Sequence, residues 1–546
     1  GLLDKLYPPF PFKESLESYV YLRSLQANGK NIQNHIKMAP IEFGGFALDS
    51  EVKVSPNGKW VSFVSSNDIY ITDFSDLPKD ENGLPFLDTN PNNNNPKIKR
   101  LTELGGSYSR WRYSGDIEWM SGHRYQKYNP EKEYLFSKPI EIKIERSIGQ
   151  GDILFRNAGI ITMNGDQVLN GADLLIEKNR ISCLGTCLTP KGAKIIDATG
   201  KVIIPGLVDV HAHNLGQGSY SVNWPVGRLN LAYGVTTTVD PATLSQSLFP
   251  IADMVEAGVM VGPRSFGTAE LVVKPGLSFG GTLDVSSYED AQRNVKRRAD
   301  WGAISIKNFR LNSRQANQML IEATREAGLS ITAEGGPLYF DLGFAMDGQT
   351  GWEHSIAQLP IYSDVAKFLG KAGVVYSPTI LVAGHRGGSM DYFRPKHDFK
   401  GDEKYLSLLE PEVKEDYLKR PTLTQRPLSA MAFPIQAQGL ADIIREGGRG
   451  AIGEHSEQPG LGHHWEIWSY AAALTPMEAL KVATYDGAWF IGLDHEIGSI
   501  SEGKLADLVV LNSNPLHDIK NTLDIQYIMK QGLLYDGSSL ELLNSN

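Results

Sequence analysis

The stretch Val202-Ile-Ile-Pro-Gly-Leu-Val-Asp-Val-His-Ala-His213 decides the fold of this 546-residue chain, because an apolar strand runs directly into two imidazoles spaced two residues apart. Residues i and i+2 of a strand share a face, so His211 and His213 present both rings to one side. Histidine is the commonest ligand for zinc-like ions, which makes the pair a metal-site expectation. Two satisfied surface or core histidines are the plainer alternative, since short motifs match by chance.

Outward from this stretch, apolar strands alternate with amphipathic helices, the sign of βα units and a parallel sheet. Strands are expected to end at His211 and His213, Val235 to Asp240, Ser265 to Glu270, Ala303 to Asn308, Leu329 to Glu334, Gly351 to Ser355, Val374 to Thr379 and Gly450 to His455. Eight such units make an α/β fold, a (β/α)8 TIM barrel over residues 207–495, whose catalytic groups belong at the C-terminal strand tips. The run from Ala383 to Phe433 is too long for a plain connection and reads as a functional insertion.

The flanks have a different texture. Residues 151–206 and 496–546 are short strands broken by turns such as Asn164-Gly165 and Lys178-Asn179, and the two ends are expected to share one composite β-sandwich domain. Residues 43–74 and 108–122 are hairpin-rich, and Gly115 falls where Gly58 does, at a spacing that suggests β-propeller blades. The turn Ser55-Pro-Asn-Gly-Lys-Trp60 resembles the repeat signature of TolB-like propellers. Residues 1–150 are therefore expected to be the C-terminal part of a propeller whose remaining blades lie on a missing or cleaved N-terminal chain. The Asn run between Asp80 and Pro96 reads as a solvated loop.

A net charge of -10 argues against a nucleic-acid partner, which would call for a basic, clustered surface. No apolar run is long enough for a membrane span. The only cysteines, Cys183 and Cys187, form either a short-range disulfide or two free thiols. A disulfide favours an extracytoplasmic location, periplasmic or secreted, and a homo-oligomer is expected.

Further ligand types stand at the other strand tips. Ile304 and Ile306 share one face of their strand, so Lys307 points to the barrel axis, either as a carbamylated anionic bridge between two metal ions or as a cation binding a substrate carboxylate. Glu334 is an oxygen ligand type followed by two glycines, and His354 and His455 end the sixth and eighth strands. Strand alternation turns Glu353 outward, as an ion-pair partner, and Glu454 away from the axis. Glu457 lies in the loop beyond, and His463 and His464 read as solvated loop residues.

With these residues in view, the chain resembles the amidohydrolase superfamily over about residues 150–535. Pro205-Gly-Leu-Val-Asp-Val-His-Ala-His213 is similar to its first-strand metal motif, and Glu502-Gly-Lys-Leu-Ala-Asp-Leu-Val-Val-Leu511 with Asn514-Pro515 to its closing signature. Within it, the chain is most similar to the imidazolonepropionase-related branch fused behind TolB-like propellers. The resemblance implies a centre of one or two divalent ions, zinc first with manganese or iron as alternatives, and an activated water that attacks an amide, lactam or ester carbonyl. Two departures stand out: Glu334 replaces a histidine usual after the fifth strand, and His455 an aspartate usual after the eighth. An imidazole with an ordinary pKa of ~6.5 can bind metal, shuttle the proton, or do both.

The expectation is thus a metal-dependent hydrolase of peptide or cyclic amide bonds, acting on a small peptide-like or cyclic amide substrate. In it His211, His213 and His455 hold one ion, Glu334 and His354 the other, Lys307 bridges them, and His455 is catalytic. The alternative is a barrel that has lost catalysis and acts as a binding or scaffold protein through its propeller.

Overall fold

Val202–Pro205 is buried along its whole length because it is an inner strand of the flanking sheet, paired on both sides, and leads directly toward the first barrel strand. In the computed structural model the described residues are 20–24, 33–38, 52–65, 67–89, 95–213, 224–273, 285–309, 313–382, 388–419 and 424–544. Residues 43–51 of the hairpin-rich region, the Asn run 90–94, and 383–387 and 420–423 of the insertion lie outside them. The chain divides into two compact units, residues 1–142 with 273–284, and residues 143–272 with 285–546.

The first unit contains two four-stranded antiparallel sheets, one from Ser107–Trp111, Ile117–Ser121, Arg124–Asn129 and Tyr134–Pro139. The other takes Val52–Val54, Trp60–Ser65 and Asp68–Asp73, with Lys99–Arg100 at its edge. Gly58 and Gly115, at φ 73° and 82°, each turn the chain after the first strand of their sheet. A three-stranded sheet of Val20–Ser24, Gln33–Met38 and Phe86–Leu87 completes the described strands of this unit.

In the second unit, strands from both flanks of the barrel share one sheet. Val202–Pro205 pairs antiparallel with Leu508–Leu511, which continues through Ile525–Lys530 to Leu533–Asp536. On its other side lies Asp152–Ile161. Ile153, Phe155, Ile203, Val510, Met529 and Leu534 pack into this domain's own core. Arg180–Gly185 carries Cys183, which is bonded to Cys187 with Cα atoms 5.9 Å apart.

The barrel strands are β1 (Leu207–Asp209), β2 (Val235–Asp240), β3 (Arg264–Gly267), β4 (Ser305–Phe309), β5 (Ser330–Glu334), β6 (Gly351–Glu353), β7 (Val375–Ser377) and β8 (Arg449–Gly450). Each pair runs parallel, from β1 to β3 and from β4 to β8. Ile304 N–H donates to the Gly267 carbonyl at 3.2 Å, joining the two runs, and Val210 N–H donates to the Ile452 carbonyl at 2.8 Å, closing the ring. The fold is a (β/α)8 barrel, and each of the eight expected strand regions carries one of its strands. The helices bury one face as their sequence spacing dictates: Ala316, Leu320, Ile321 and Ala323 of Arg314–Glu326 pack with Ile306 of β4 and Ile331 of β5.

Gly206 marks where the flanking sheet hands over to the barrel. A Cβ there would collide with the Thr236 side chain, so the crossing requires glycine.

The helix after β5, Leu338–Asp347, buries Asp341, which is 1% exposed and accepts the Gly336 N–H at 3.1 Å. Burial lifts its pKa to about 7, against the Trp352 side chain and the Gly336 N–H, which favour the anion. A carboxyl whose folded pKa is raised adds stability that is complete below the unfolded value of 3.8 and lost as pH rises through about 7. Between pH 5.5 and 8 this one group is expected to remove about 2 kcal/mol. Denaturant unfolding at the two pH values should show that difference in the parent and its loss in Asp341→Asn; equal pH dependence in both proteins would assign the effect elsewhere.

Candidate metal centre

The six residues expected at the strand tips converge at the C-terminal mouth of the barrel. His211 and His213 follow β1, Lys307 lies in β4, Glu334 ends β5, His354 follows β6, and His455 follows β8. His455 is tied back to the first strand, its N–H donating to the His211 carbonyl at 2.8 Å. Gly453 permits this closure, since a Cβ there would lie 2.7 Å from His211 Cβ and 2.6 Å from Ser377 Oγ.

The Nε2 atoms of His211 and His213 are 3.3 Å apart. The ring of His211 is 4.6 Å from that of His354 and 5.1 Å from that of His455, and the His213 and His455 rings are 4.5 Å apart. One ligand nitrogen from each of His211, His354 and His455 lies within 4.8 Å of the others. His354 thus groups with His211 and His455, and not only with Glu334, whose Oε1 is 3.4 Å from its Nε2.

Each ring meets an oxygen at Nδ1. His211 faces Glu353 Oε2 at 3.1 Å, His213 faces Asp240 Oδ1 at 3.6 Å, His354 faces Thr379 Oγ1 at 2.6 Å, and His455 faces Glu457 Oε1 at 3.4 Å. The contacts of His211 and His455 are close but are not aligned as hydrogen bonds. A histidine ligand generally presents one nitrogen to the cation and the other to a carboxylate, carbonyl or water, and each of these rings has an oxygen near its Nδ1 side.

Burial drives His211 far toward the neutral form, and the neighbouring His354 and Lys307 reinforce the shift. Burial acts on His213 in the same sense, but Asp240 outweighs it and raises the pKa. Lys307 is buried between two carboxylates, in direct contact with Glu353 and 3.2 Å from Glu334 Oε2. Burial favours the neutral amine, yet these carboxylates prevail and hold the proton on Nζ.

The residues fit a divalent ion. A tetrahedral site with nitrogens at about 2.0–2.1 Å has ligand edges of about 3.3–3.4 Å, which the Nε2 separation of His211 and His213 matches at 3.3 Å. Imidazoles with one or two carboxylates suit zinc and equally iron or nickel.

The structure corrects two sequence readings. Glu353 points inward, 2% exposed and against Lys307, because β6 stops there and His354 takes a left-handed φ of 68°, which breaks the alternation. His463 and His464 are wholly buried on the helix Leu461–Tyr470, where His463 Nδ1 lies 3.1 Å from Asp209 Oδ2 and His464 Nε2 lies 2.8 Å from the Tyr233 carbonyl. Glu454 is buried behind the site, its N–H 3.3 Å from Asp209 Oδ2.

Sequence reading missed Asp209, Asp240 and Thr379. Asp240 carried a signal, because it ends β2 as the other tip residues end their strands. Asp209 sits two residues before His211 and accepts its N–H at 3.0 Å, which orients the motif from behind.

Residues 437–534 match the amidohydrolase family. A dihydroorotase of Lactobacillus helveticus (strain DPC 4571) is 45% identical over 84 residues, covering 14% of this chain and 19% of that protein. A D-hydantoinase of Geobacillus stearothermophilus is 32% identical over 106 residues, 19% of this chain and 22% of that protein. The chain therefore spans about a fifth of the length of these curated relatives. Among solved structures, a Xaa-Pro dipeptidase with bound methionine in the active site is similar at a TM-score of 0.54 and 18% identity, over 71% of this chain and 100% of that one. That likeness establishes the fold.

Proposed function

We propose that this chain is a metal-dependent hydrolase of amide-type bonds, peptide or cyclic amide. The observation that carries the reading is the set of four imidazoles, each with an oxygen at Nδ1 and all gathered at the barrel mouth. Its similarity to a dihydroorotase, a hydantoinase and a dipeptidase fold supports the class of bond.

In this reading His211, His213, His354 and His455 hold the metal, with Glu334 as an oxygen ligand beside His354. A divalent ion supplies a Lewis acid for the carbonyl and lowers the pKa of water to about 7. In a centre that leaves Nε2 of His455 off the metal, that nitrogen moves the proton from the attacking water to the leaving nitrogen, with Glu457 3.4 Å from Nδ1 on the other side of the ring. Lys307 keeps Glu334 and Glu353 facing the site. Its carbamylated form is the alternative, as a bridge in a two-ion centre; zinc is the first choice of metal and manganese or iron the others.

The finer assignments are proposals of the same kind. The two four-stranded sheets of residues 1–142, turning at Gly58 and Gly115, support a TolB-like propeller section completed by blades on another segment. The Cys183–Cys187 disulfide supports an extracytoplasmic location. The imidazolonepropionase-related branch and the homo-oligomer rest on the sequence alone.

Turnover of a panel of dipeptides, N-acyl amino acids and cyclic amides by zinc-loaded and manganese-loaded protein tests the function. Hydrolysis in at least one class, lost on chelation and restored by metal, is expected; no turnover of any amide at saturating metal would contradict the reading. Asp240→Asn, which weakens the partner of His213 Nδ1, is expected to lower metal affinity about 10–100-fold in equilibrium dialysis. An unchanged affinity would remove Asp240 from the centre.

A further inference from the structure

The geometry points to Thr379 as the positioning residue that decides which nitrogen of His354 is available to a cation, an inference that rests on the metal-site reading above. Thr379 lies two residues beyond β7 and is wholly buried. Its Oγ1 is 2.8 Å from the Pro378 carbonyl and 2.6 Å from His354 Nδ1. A carbonyl can only accept, so with the Thr379 hydroxyl donating to Pro378 the oxygen lone pair faces the ring, and this is the arrangement we infer. His354 then carries its proton on Nδ1 and keeps Nε2 as a lone pair. That Nε2 lies on the Glu334 side of the ring, 3.4 Å from Oε1.

The backbone around Thr379 is built to keep this hydroxyl in place. Thr379 has a φ of 46°, a left-handed conformation that β-branched residues rarely adopt. Such a conformation persists where neighbouring contacts over-determine it. Here Glu466, wholly buried on the helix Leu461–Tyr470, accepts the N–H of Ile380 with one oxygen and that of Leu381 with the other, both at 2.7 Å. Ser355 Oγ donates to the Pro378 carbonyl at 3.0 Å, and Ser389 N–H donates to the Ile380 carbonyl at 3.1 Å. The residues on either side of Thr379 are thus fastened from separate parts of the chain.

Thr379 also differs in kind from the partners of the other three rings. His211, His213 and His455 face carboxylates at Nδ1, whereas His354 faces a neutral hydroxyl. The hydroxyl selects the tautomer without adding a charge to a site that already holds Glu334, Glu353 and Lys307.

Cobalt(II) binding to the metal-free full chain tests this, with affinity read by chelator competition and geometry by the visible spectrum. Thr379→Ser keeps the hydroxyl and is expected to match the parent in both. Thr379→Val keeps the shape and is expected to bind about 10–100-fold more weakly, with an altered spectrum. Equal affinity and spectrum in Thr379→Val would overturn the role of Thr379. If the parent itself fails to bind cobalt, the metal-site reading falls instead. Should Thr379→Val not fold, nitrogen NMR of histidine-labelled parent decides, with the His354 signals assigned from His354→Gln: a proton on Nδ1 supports the proposal, and a proton on Nε2 overturns it.

Discussion

Replacing His211 and His213 together by asparagine is expected to lower kcat/KM for the hydrolysed amide at least about 10³-fold, because the Lewis acid contributes several kcal/mol to the transition state and ~4 kcal/mol is a factor of about 10³. Both Nε2 atoms of the 3.3 Å pair are lost, leaving His354 and His455 to hold an ion without the first strand. Asparagine at position 211 is smaller and still polar, and Glu353 keeps its pairing with Lys307, so the variant separates loss of metal from loss of fold. Steady-state kinetics with the metal content measured on the same samples gives the answer. A variant that keeps both its metal and its rate would remove the pair from the centre.

The largest effect on stability is expected from Lys307→Met. Lys307 and Glu353 are each 2% exposed, and Glu334 lies 3.2 Å from the same ammonium. Taking one partner from a buried ion pair leaves an uncompensated charge, typically at a cost of about 3–5 kcal/mol. Adding Glu353→Gln to Lys307→Met should recover much of that loss, since the stranded charge goes with it, and a double-mutant cycle in denaturant measures the coupling. Metal-free protein is the right sample, so that loss of an ion does not enter the comparison. If Lys307→Met is as stable as the parent, Lys307 is not held there as a buried cation by Glu334 and Glu353.

The parts of this site that were legible in the sequence are those fixed by strand period. His211 and His213 share a face because they are two residues apart, and Lys307 and Glu334 point inward on the same rule. The same rule misplaced Glu353, because His354 leaves the strand with φ 68° and lets adjacent residues both reach the centre. His455, in the loop beyond β8, also takes a left-handed φ, of 70°. Left-handed turns at non-glycine residues have no side-chain signature, so alternation fails where a strand gives way to the site.

Burial was harder to read than direction. The glycines of Gly460-Leu-Gly-His-His464 suggested an exposed loop, but Gly460 only starts a helix, and Asp209 and the Tyr233 carbonyl give both histidines buried partners. Those partners lie more than 200 residues away in the chain, and no local pattern announces them. Thr379 was beyond reach for the same reason, its role depending on a backbone conformation held by Glu466. The eight barrel strands were legible because each needed only a run of apolar residues and a turn.

Anomalous X-ray scattering at the zinc edge, from crystals of zinc-loaded protein, tests the central claim most directly. The account predicts a peak at the barrel mouth about 2.0–2.1 Å from Nε2 of His211 and His213, with His354 and His455 adjacent. A peak elsewhere, or none at the mouth in fully loaded protein, would contradict it.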